Sequence, residues 1–460
     1  MTMTTTTLPA LIHRLTAPPP GDVATDIPYN VDCTTVAFAD HNDPACRERT
    51  GWQILPKSPE EVAWILKNAA QCSGRLSLSK ADAAYLDQPM WLDLSGLHRI
   101  VRESPEDHTI QVETGITAEA LQKHLAAHNL AWPLAFPPDT RLVDILAEDA
   151  TALNTGNRGL PRDWVLGLQV ADSDGQLTRC GGNVVKNVSG YDLNKLYVGA
   201  HHQLGVITQA TLKVAVQKPE ETAWLYTLEA PVDKPGSLIP LLQTLLSGQA
   251  PWREQLDQLV LFDSPSASLW QLWLHASGTG AAMETARNDL PGELLKQAAE
   301  RELTLIGHKA PPTQLASLGK KLLQHHHHPL ALSVCSHPRQ TLSLWPSVQT
   351  ILTTQAPGGY GQVHPQSGML LWSWPEDALP SPEALDAAVQ AIQQSLQPEQ
   401  LAIPANGFCR IPVYPVAYTP LAMAVNLPAD PVLRQVNRRL KISYDPGNVL
   451  ISRGLPLERL

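Results

Sequence analysis

The order of apolar and polar positions predicts a first domain that mixes short strands with amphipathic helices. Residues 52–56 form an apolar run of strand length. Ser58 then precedes a proline and two glutamates, the pattern of a helix N-terminus with a side-chain cap and a capping-box glutamate at Glu61. The helix is predicted to extend to about residue 70, because apolar residues recur on one face at helical spacing: Val62, Ile65, Leu66 and Ala69.

Strand and helix patterns continue as far as residue 218. Residues 92–101 and 109–113 alternate as strands do, and Thr117 caps a second helix that ends before Trp132. The pattern then predicts a strand, a hairpin turn and a last strand, over residues 164–170, 172–175 and 209–216. This order predicts an α+β domain over residues 51–218.

The rest of the chain is predicted to form three further parts. Residues 1–50 are rich in Thr, Pro and Asp, and we expect a poorly ordered N-terminal extension or a surface-wrapping arm. Residues 219–430 are rich in Gln, Leu, Pro and Trp and predict an α+β cap domain. Residues 431–460 begin with a basic helix and form a separate C-terminal segment.

Two motifs in the cap invite functional interpretations that we do not favour. A strand followed by Gly278 and Gly280 suggests dinucleotide binding, but Met283 stands where the third glycine would be, so an ordinary cap is preferred. The histidine run His325–His328 could pick up metal adventitiously, yet it lacks a third type of ligand and is interpreted as a surface loop. No metal site is predicted.

Composition narrows the function classes. The chain has 460 residues, of which 43% are hydrophobic and 17% charged, as in globular proteins. Its net charge of -10 argues against a nucleic-acid or anionic-membrane partner. No window of about 20 apolar residues predicts a transmembrane segment, and the N-terminus lacks the pattern of a secretory signal. The six cysteines form no CxxC pair, which fits free thiols in a reducing, cytoplasmic compartment and places any iron–sulfur cluster on another chain.

The most informative stretch of the sequence follows the predicted hairpin. It begins Gly181-Gly-Asn-Val-Val-Lys-Asn-Val-Ser-Gly-Tyr-Asp192 and closes with Leu204-Gly-Val-Ile-Thr208. Glycines spaced in this way let backbone N–H groups approach a bulky anionic ligand, although each glycine alone could serve an ordinary turn. The segment resembles the flavin-binding core of the vanillyl-alcohol-oxidase-like (PCMH-type) flavoproteins, and within them the FAD-binding subunit of glycolate oxidase. A C-terminal aromatic-Asp-Pro turn, Tyr444-Asp-Pro446, resembles the terminal signature of the same family.

The resemblance implies a two-lobed, α+β FAD-binding domain with non-covalent FAD and a cap. It places residues from Gly182 onward around the cofactor. Gly190, Tyr191 and Asp192 would lie beside it, and Gly205, Val206 and Ile207 would contact its adenine side. Lys186 either neutralises a phosphate or makes a surface ion pair.

An upstream loop is also implied to lie at the cofactor. It contains Gly156, Asn157 and Arg158. Gly156 would let the chain approach the flavin, and Arg158 would pair with a phosphate or with an acid. The catalytic residues stay unknown.

The sequence departs from the family pattern where pyrophosphate is bound. The first glycine-rich turn is replaced by residues 78–84, which contain no glycine, and the Gly-Gly of the second loop falls at Ala147-Glu-Asp149. Two carboxylates would therefore stand where phosphate oxygens approach, and like charges at contact range cost on the order of kilocalories. These departures indicate a divergent branch with a loose or empty cofactor site.

Three functional hypotheses follow from the resemblance. The first is an FAD-binding oxidoreductase subunit of a glycolate oxidase-like complex that oxidises a small 2-hydroxy acid, with a sister FAD-linked oxidase subunit and an iron–sulfur subunit as partners. Such a complex could sit peripherally on a membrane through those partners. The second is a flavin-free scaffold or assembly subunit that keeps the fold. The third is a self-sufficient oxidase of a bulkier alcohol or sugar acid.

Overall fold

The computed structural model describes residues 9–16, 31–38, 49–84, 86–152, 154–182, 192–228, 238–246, 252–264, 269–310, 330–396, 408–413, 419–426 and 431–452. Elements of the first lobe are α1 (Ala10–Thr16), β1 (Asp32–Phe38), β2 (Arg49–Leu55), α2 (Pro59–Gln71), α3 (Lys80–Ala83) and β3 (Met90–Leu92). Its sheet has the order β1-β2-β3, with β1 antiparallel and β3 parallel to β2.

The second lobe surrounds a larger antiparallel sheet. Its elements are β4 (Ile100–Ser104), β5 (Thr109–Glu113), α4 (Ala118–Ala126), β6 (Leu130–Ala131), α5 (Leu142–Glu148), α6 (Thr155–Arg158), β7 (Val165–Ala171), β8 (Leu177–Gly181), α7 (Asn194–Tyr197), β9 (Val206–Lys213) and β10 (Ala215–Val216). The strand order is β4-β5-β9-β7-β8, and β6 and β10 form a separate pair.

The cap is built on one long antiparallel sheet. Its elements are β11 (Glu220–Leu228), α8 (Ile239–Leu246), β12 (Leu256–Ser264), β13 (Leu269–Gly278), α9 (Gly280–Ala299), β14 (Leu305–Ala310), β15 (Leu330–Cys335), α10 (Pro338–Gln355), β16 (Tyr360–His364), β17 (Met369–Trp374), α11 (Pro382–Ser395), β18 (Phe408–Val413) and α12 (Thr419–Asn426). The strand order is β14-β11-β13-β12-β16-β17-β15-β18. A last helix, α13 (Pro431–Tyr444), follows the cap. The predicted α+β fold class is confirmed.

Local signals for the helices of the two lobes are confirmed. Ser58 accepts a hydrogen bond from the Glu61 N–H at 3.2 Å, and Thr117 accepts one from the Ala120 N–H at 3.2 Å. The Glu61 carboxylate, however, accepts from the Lys57 N–H at 2.8 Å rather than from Ser58. The capping box therefore reaches one residue further back than the sequence predicts.

The described parts of residues 1–50 are ordered, unlike a poorly ordered extension, and they are compatible with the alternative of a surface-wrapping arm. In these parts, α1 buries Leu11, Ile12 and Leu15 against α2, and β1 pairs with β2 over its whole length. Each fully buried side chain of this size contributes about 1.5–3 kcal/mol. Because the segments on both sides of this short apolar helix are rich in Thr and Pro, the composition of residues 1–50 did not predict it.

Two further expectations need correction. Residues 92–101 do not form one strand, because β3 ends at Leu92 and a 3₁₀ turn, Leu94–Gly96, separates it from β4. The turn is fixed by Asp93, whose carboxylate accepts from the Ser95 N–H at 3.0 Å. The predicted strand 209–216 begins earlier, as β9, and is interrupted before β10.

The dinucleotide interpretation of Gly278 and Gly280 is excluded by topology. The strand before them, β13, lies antiparallel to both of its neighbours, β11 and β12. A dinucleotide fingerprint requires a parallel βαβ unit. The preferred interpretation as an ordinary cap therefore agrees with the structure.

Among the described residues, no helix combines the length and apolar character needed to cross a bilayer.

Candidate functional site

The first and second lobes meet over a shared apolar core. Three buried residues of the second lobe, Val143, Ala171 and Val206, pack with the core of the first lobe. Arg141 also crosses the junction, with its guanidinium 2.5 Å from the carboxylate of Asp93. The two lobes are thus held at a fixed separation, and their facing loops border the position at which the resemblance places FAD.

Carboxylates from both lobes face one another at this junction. Asp82 lies on α3 of the first lobe, and Asp144 and Glu148 lie on α5 of the second. Burial raises the pKa of Glu148 to about 7, and the charges of Asp144 and Asp82 raise it further. The pKa of Asp144 is also raised by burial, despite the neighbouring Arg141.

The Glu148 side chain is open to solvent, yet burial is the largest cause of its raised pKa. We call the group of carboxylates formed by Asp82, Asp144 and Glu148 the acidic recess. Glu148 makes no salt bridge with any described residue, so its charge is uncompensated above about pH 7.

Two further negative groups lie beside the acidic recess: the Asp149 carboxylate and the C-terminal end of the α5 helix dipole. Asp149 follows the helix in a left-handed conformation (φ 48°) and is buried. Its carboxylate accepts from the Arg162 N–H at 2.9 Å and from the Arg162 guanidinium. Arg162 therefore balances Asp149, whereas the C-terminal end of the α5 dipole points toward Glu148 and offers no positive charge.

Backbone N–H groups near this point are already paired within the protein. Gly199 N–H donates to the Leu146 carbonyl at 2.9 Å, and His201 N–H donates to the Ala147 carbonyl at 2.8 Å. These bonds cap the end of α5 from the loop that precedes β9. The two N–H groups are consequently not available to phosphate oxygens.

The described glycines of the informative stretch serve internal packing. A Cβ at Gly181 (φ 71°) would lie 2.2 Å from the Leu166 carbonyl oxygen, and one at Gly205 (φ 144°) would lie 2.6 Å from Val170. Both positions need glycine because of close chain-to-chain contact and positive φ. The alternative of ordinary turn glycines is therefore sufficient for these two positions.

The predicted loop residues Gly156, Asn157 and Arg158 fall in α6. The Arg158 guanidinium lies 2.6 Å from the carboxylate of Asp257 on β12, so it pairs with an acid of the cap. Lys218 lies 3.2 Å from the same carboxylate. Asp257 is buried, and it joins the second lobe to the cap through two cations.

The remaining predicted residues divide into two sets. Lys186, Gly190 and Tyr191 lie outside the described residues. Gly182 follows β8 and donates its N–H to the Leu166 carbonyl at 3.0 Å, while the Asp192 carboxylate lies 3.5 Å from Lys195.

Val206 and Ile207, at the start of β9, are buried in different cores: Val206 in that of the first lobe and Ile207 in that of the second. Their side chains are thus used for packing, and any contact with an adenine would come from their backbone. Cofactor contacts of all these residues stay a prediction.

The C-terminal segment returns to the junction and is fixed there by a buried ion pair. The Lys441 ammonium lies 2.7 Å from the Asp445 carboxylate and donates to the Gln203 and Leu450 carbonyls at 3.2 and 2.7 Å. Asp445 also accepts from two backbone N–H groups, those of Val449 and Leu450. Leu450 then bridges in parallel to Leu76 of the first lobe. The pair ties the chain end to both lobes.

One face of the cap sheet carries buried polar groups that the sequence pattern did not predict. The opposite face is packed by helices and rich in Leu and Trp. The polar face of the sheet contains His364, whose ring lies 3.1 Å from Gln362. It also contains Gln258, which accepts a hydrogen bond from the Trp273 ring N–H at 3.1 Å. Burial lowers the pKa of His364 to about 4, so its imidazole is neutral at neutral pH. The signal available in the sequence was the alternation Gln362-Val-His364, with polar residues on every second position.

The described residues of the junction do not fit an FAD pyrophosphate while Glu148 is ionised. A pyrophosphate carries negative charge and is held in proteins by free N–H groups, helix N-termini or cations. Here the described groups are carboxylates, a helix C-terminus, N–H groups that are already paired, and two arginines, Arg141 and Arg162, that are already paired with carboxylates of the protein. Protonation of Glu148 would remove one of the opposing charges.

Comparisons with known proteins match part of the chain to one family and to several curated relatives. The family described as FAD binding domain matches residues 53–181. The chain is 28% identical to D-2-hydroxyglutarate dehydrogenase of Stutzerimonas stutzeri over 229 residues, 47% of each chain. It is 35% identical to glycolate oxidase subunit GlcE of Escherichia coli over 138 residues, 29% of this chain and 34% of that protein. The chain thus spans less than half the length of the curated relatives it matches.

Solved structures share the fold across most of the chain. A 4-ethylphenol oxidase from Gulosibacter chungangensis has a TM-score of 0.63 at 13% identity and covers 89% of this chain and 90% of its own. A chitooligosaccharide oxidase has a TM-score of 0.60 at 13% identity, covering 88% and 91%. The chain therefore shares the fold of these solved oxidases over most of its length, and residues 53–181 match the family described as FAD binding domain.

Proposed function

We propose that the protein is an FAD-binding oxidoreductase that works on a small 2-hydroxy acid as a subunit of a glycolate oxidase-like complex. The observation that carries this proposal is an FAD binding domain over residues 53–181 followed by a cap on the oxidase fold. Relatives named D-2-hydroxyglutarate dehydrogenase and glycolate oxidase subunit support the substrate class.

The polar face of the cap sheet supports a substrate site of this kind. A neutral, buried His364 next to Gln362 can accept a hydrogen bond from a substrate hydroxyl. Buried polar groups on an otherwise apolar cap are typical of sites that orient a small polar ligand. We therefore place the 2-hydroxy acid against this face.

The proposed partners follow from what this chain lacks. None of its described cysteines forms a disulfide, and the sequence contains no CxxC pair. An iron–sulfur cluster that passes electrons onward would thus be on a second chain, and a sister FAD-linked subunit would complete the complex. Two relatives whose names call them subunits of glycolate oxidase support this arrangement.

A second candidate function is a flavin-free scaffold subunit. The acidic recess favours it, because Glu148 opposes the charge of a pyrophosphate where the resemblance places one. With the pKa of Glu148 near 7, the two candidates can be separated by pH: retained FAD binding should strengthen as Glu148 becomes neutral.

The test is a titration of the purified full chain with FAD at about pH 6 and about pH 8, followed by flavin fluorescence and visible absorbance. Under the first proposal FAD binds, more tightly at the lower pH, and Glu148→Gln raises the affinity at about pH 8 by roughly tenfold, the equivalent of about 1.4 kcal/mol. The matched control, Glu284→Gln on the exposed surface of α9, should leave the affinity unchanged. If neither the parent nor the Glu148 variant binds FAD at either pH, the scaffold function is correct.

A further inference from the structure

Three metal-ligand side chains converge on the outer surface of the second lobe, away from the junction. Glu103 comes from β4, His124 from the last turn of α4, and His128 from the turn that follows this helix. Their ligand atoms all lie within 4.8 Å of one another. Nε2 of His124 lies 2.7 Å, and Nε2 of His128 3.6 Å, from the same carboxylate oxygen of Glu103.

The backbone holds the two histidines one turn apart on one side of the helix. Residues four apart are neighbours on a helix surface. Although α4 ends at Ala126, the turn continues: His128 N–H donates to the Leu125 carbonyl at 3.0 Å, and Asn129 N–H donates to the Ala126 carbonyl at 3.1 Å. Asn129 then ends the turn in a left-handed conformation with φ 56°. The ring centroids of the two histidines are 5.8 Å apart.

Glu103, the third ligand, lies on β4 at the edge of its sheet, close to the two histidines. β4 is the first strand in the order of its sheet, and Glu103 pairs with Ile110 of β5. The three side chains are partly exposed, at 41%, 34% and 37% for Glu103, His124 and His128. Solvent can therefore reach the cluster, and an ion has an entry path.

The donor set and spacing suit zinc. Zinc bonds of about 2.0–2.2 Å in a tetrahedral arrangement place donor atoms about 3.3–3.5 Å apart. The distances from the Glu103 carboxylate oxygen to Nε2 of His124 and to Nε2 of His128, 2.7 and 3.6 Å, fall on either side of that value. Small side-chain rotations would therefore bring the three donor atoms to tetrahedral spacing. Imidazole nitrogens select late first-row metals over Mg²⁺ and Ca²⁺. The C-terminal end of α4 also favours a cation through its dipole.

We propose that Glu103, His124 and His128 form a binding site for a divalent cation of the zinc class, with a fourth coordination position open to water. The bound ion joins the edge strand β4 to the end of α4. Because it binds the folded chain and not separated segments, it stabilises the second lobe.

The experiment uses the full chain in a background where His325, His326, His327 and His328 are each changed to Ser, which removes that competing histidine run. Chelator-treated protein is titrated with Co²⁺ and then with Zn²⁺. We expect one equivalent of Co²⁺ to bind with the visible absorbance of a four-coordinate ion, and Zn²⁺ to displace it. Zn²⁺ should also raise the thermal midpoint.

Variants of the ligands distinguish this site from adventitious binding. His128→Gln and Glu103→Gln should each weaken Zn²⁺ binding by at least about tenfold and abolish the Zn²⁺-induced thermal shift. His98→Gln is the matched control, an exposed histidine of the same lobe that lies outside the cluster. Metal-free variants should melt with the parent, which shows that the fold is intact. Equal binding by parent, His128→Gln and Glu103→Gln, or equal loss in His98→Gln, would overturn the proposal.

Discussion

The molecule has two acidic regions whose carboxylates have opposite surroundings. One is at the C-terminal segment, and the other is at the junction of the lobes. Asp445 is buried and surrounded by donors: the Lys441 ammonium and the N–H groups of Val449 and Leu450. Glu148 lies in the acidic recess, where its described neighbours Asp144 and Asp82 are also acids. The first arrangement is complete without any other molecule, and the second is not.

This difference indicates what each region is for. A buried charge whose hydrogen bonds are all satisfied fixes a structure, as Asp445 does for the chain end. A carboxylate whose pKa is raised by burial, and further by neighbouring like charges, is held in place by the rest of the fold and responds to ligands and pH. The lobe junction thus combines a rigid frame with one electrostatically unfavourable position.

The largest loss of stability is expected for substitution of Asp445, the carboxylate that is surrounded by hydrogen-bond donors. Asp445→Ala leaves the buried Lys441 ammonium without its counter-charge and frees two backbone N–H groups. Breaking a buried pair in this way costs about 3–5 kcal/mol. Urea denaturation should show a corresponding fall in the midpoint. Lys441→Met combined with Asp445→Leu should recover part of the loss, and a loss below about 1 kcal/mol for Asp445→Ala would show that the pair does not hold the chain end.

A smaller loss is expected where the second lobe meets the cap. Asp257→Ala removes the partner of both Arg158 and Lys218, whose side chains are partly exposed and can be solvated again. We expect a loss of about 2 kcal/mol. Because this carboxylate joins two parts of the molecule, limited proteolysis should accelerate between them. Asp386→Ala, at a partly exposed position of α11, is the control, and equal proteolysis rates in the two variants would contradict the linking role.

The sequence predicted those features that short-range chemistry determines. The caps at Ser58 and Thr117 each require one side chain and a helix that begins beside it, so neighbouring residues contain the information. The helix α1 was missed because its stability comes from burial against α2, almost fifty residues away, rather than from its own composition.

The candidate site was predictable in position but not in its contacts. The carboxylates at Glu148 and Asp149 were identified as departures from a family pattern, yet only the folded chain shows that Asp149 is balanced by Arg162 while Glu148 faces Asp82 from the other lobe. The pairing of Arg158 with Asp257 and the cluster of Glu103 with two histidines likewise join residues that are distant in sequence. Long-range pairing depends on topology, which local patterns do not encode.

The smallest expected change in stability is a gain rather than a loss, and it depends on pH. Because the pKa of folded Glu148 is raised to about 7 from its ordinary value of 4.5, the folded chain holds this proton more tightly than the unfolded chain does. The unfavourable contribution is absent below about pH 4.5, develops between 4.5 and 7, and is complete above 7. Glu148→Gln should therefore stabilise the protein at about pH 8, and should not at about pH 5. The gain should be on the order of 1 kcal/mol, well below the full equivalent of the shift, because solvent reaches and screens this side chain. Denaturation midpoints of parent and variant measured across this range would give the difference directly, with Glu284→Gln as the pH-matched control. A gain of equal size at both pH values would show that the effect arises from packing and that the recess imposes no electrostatic cost on the folded state.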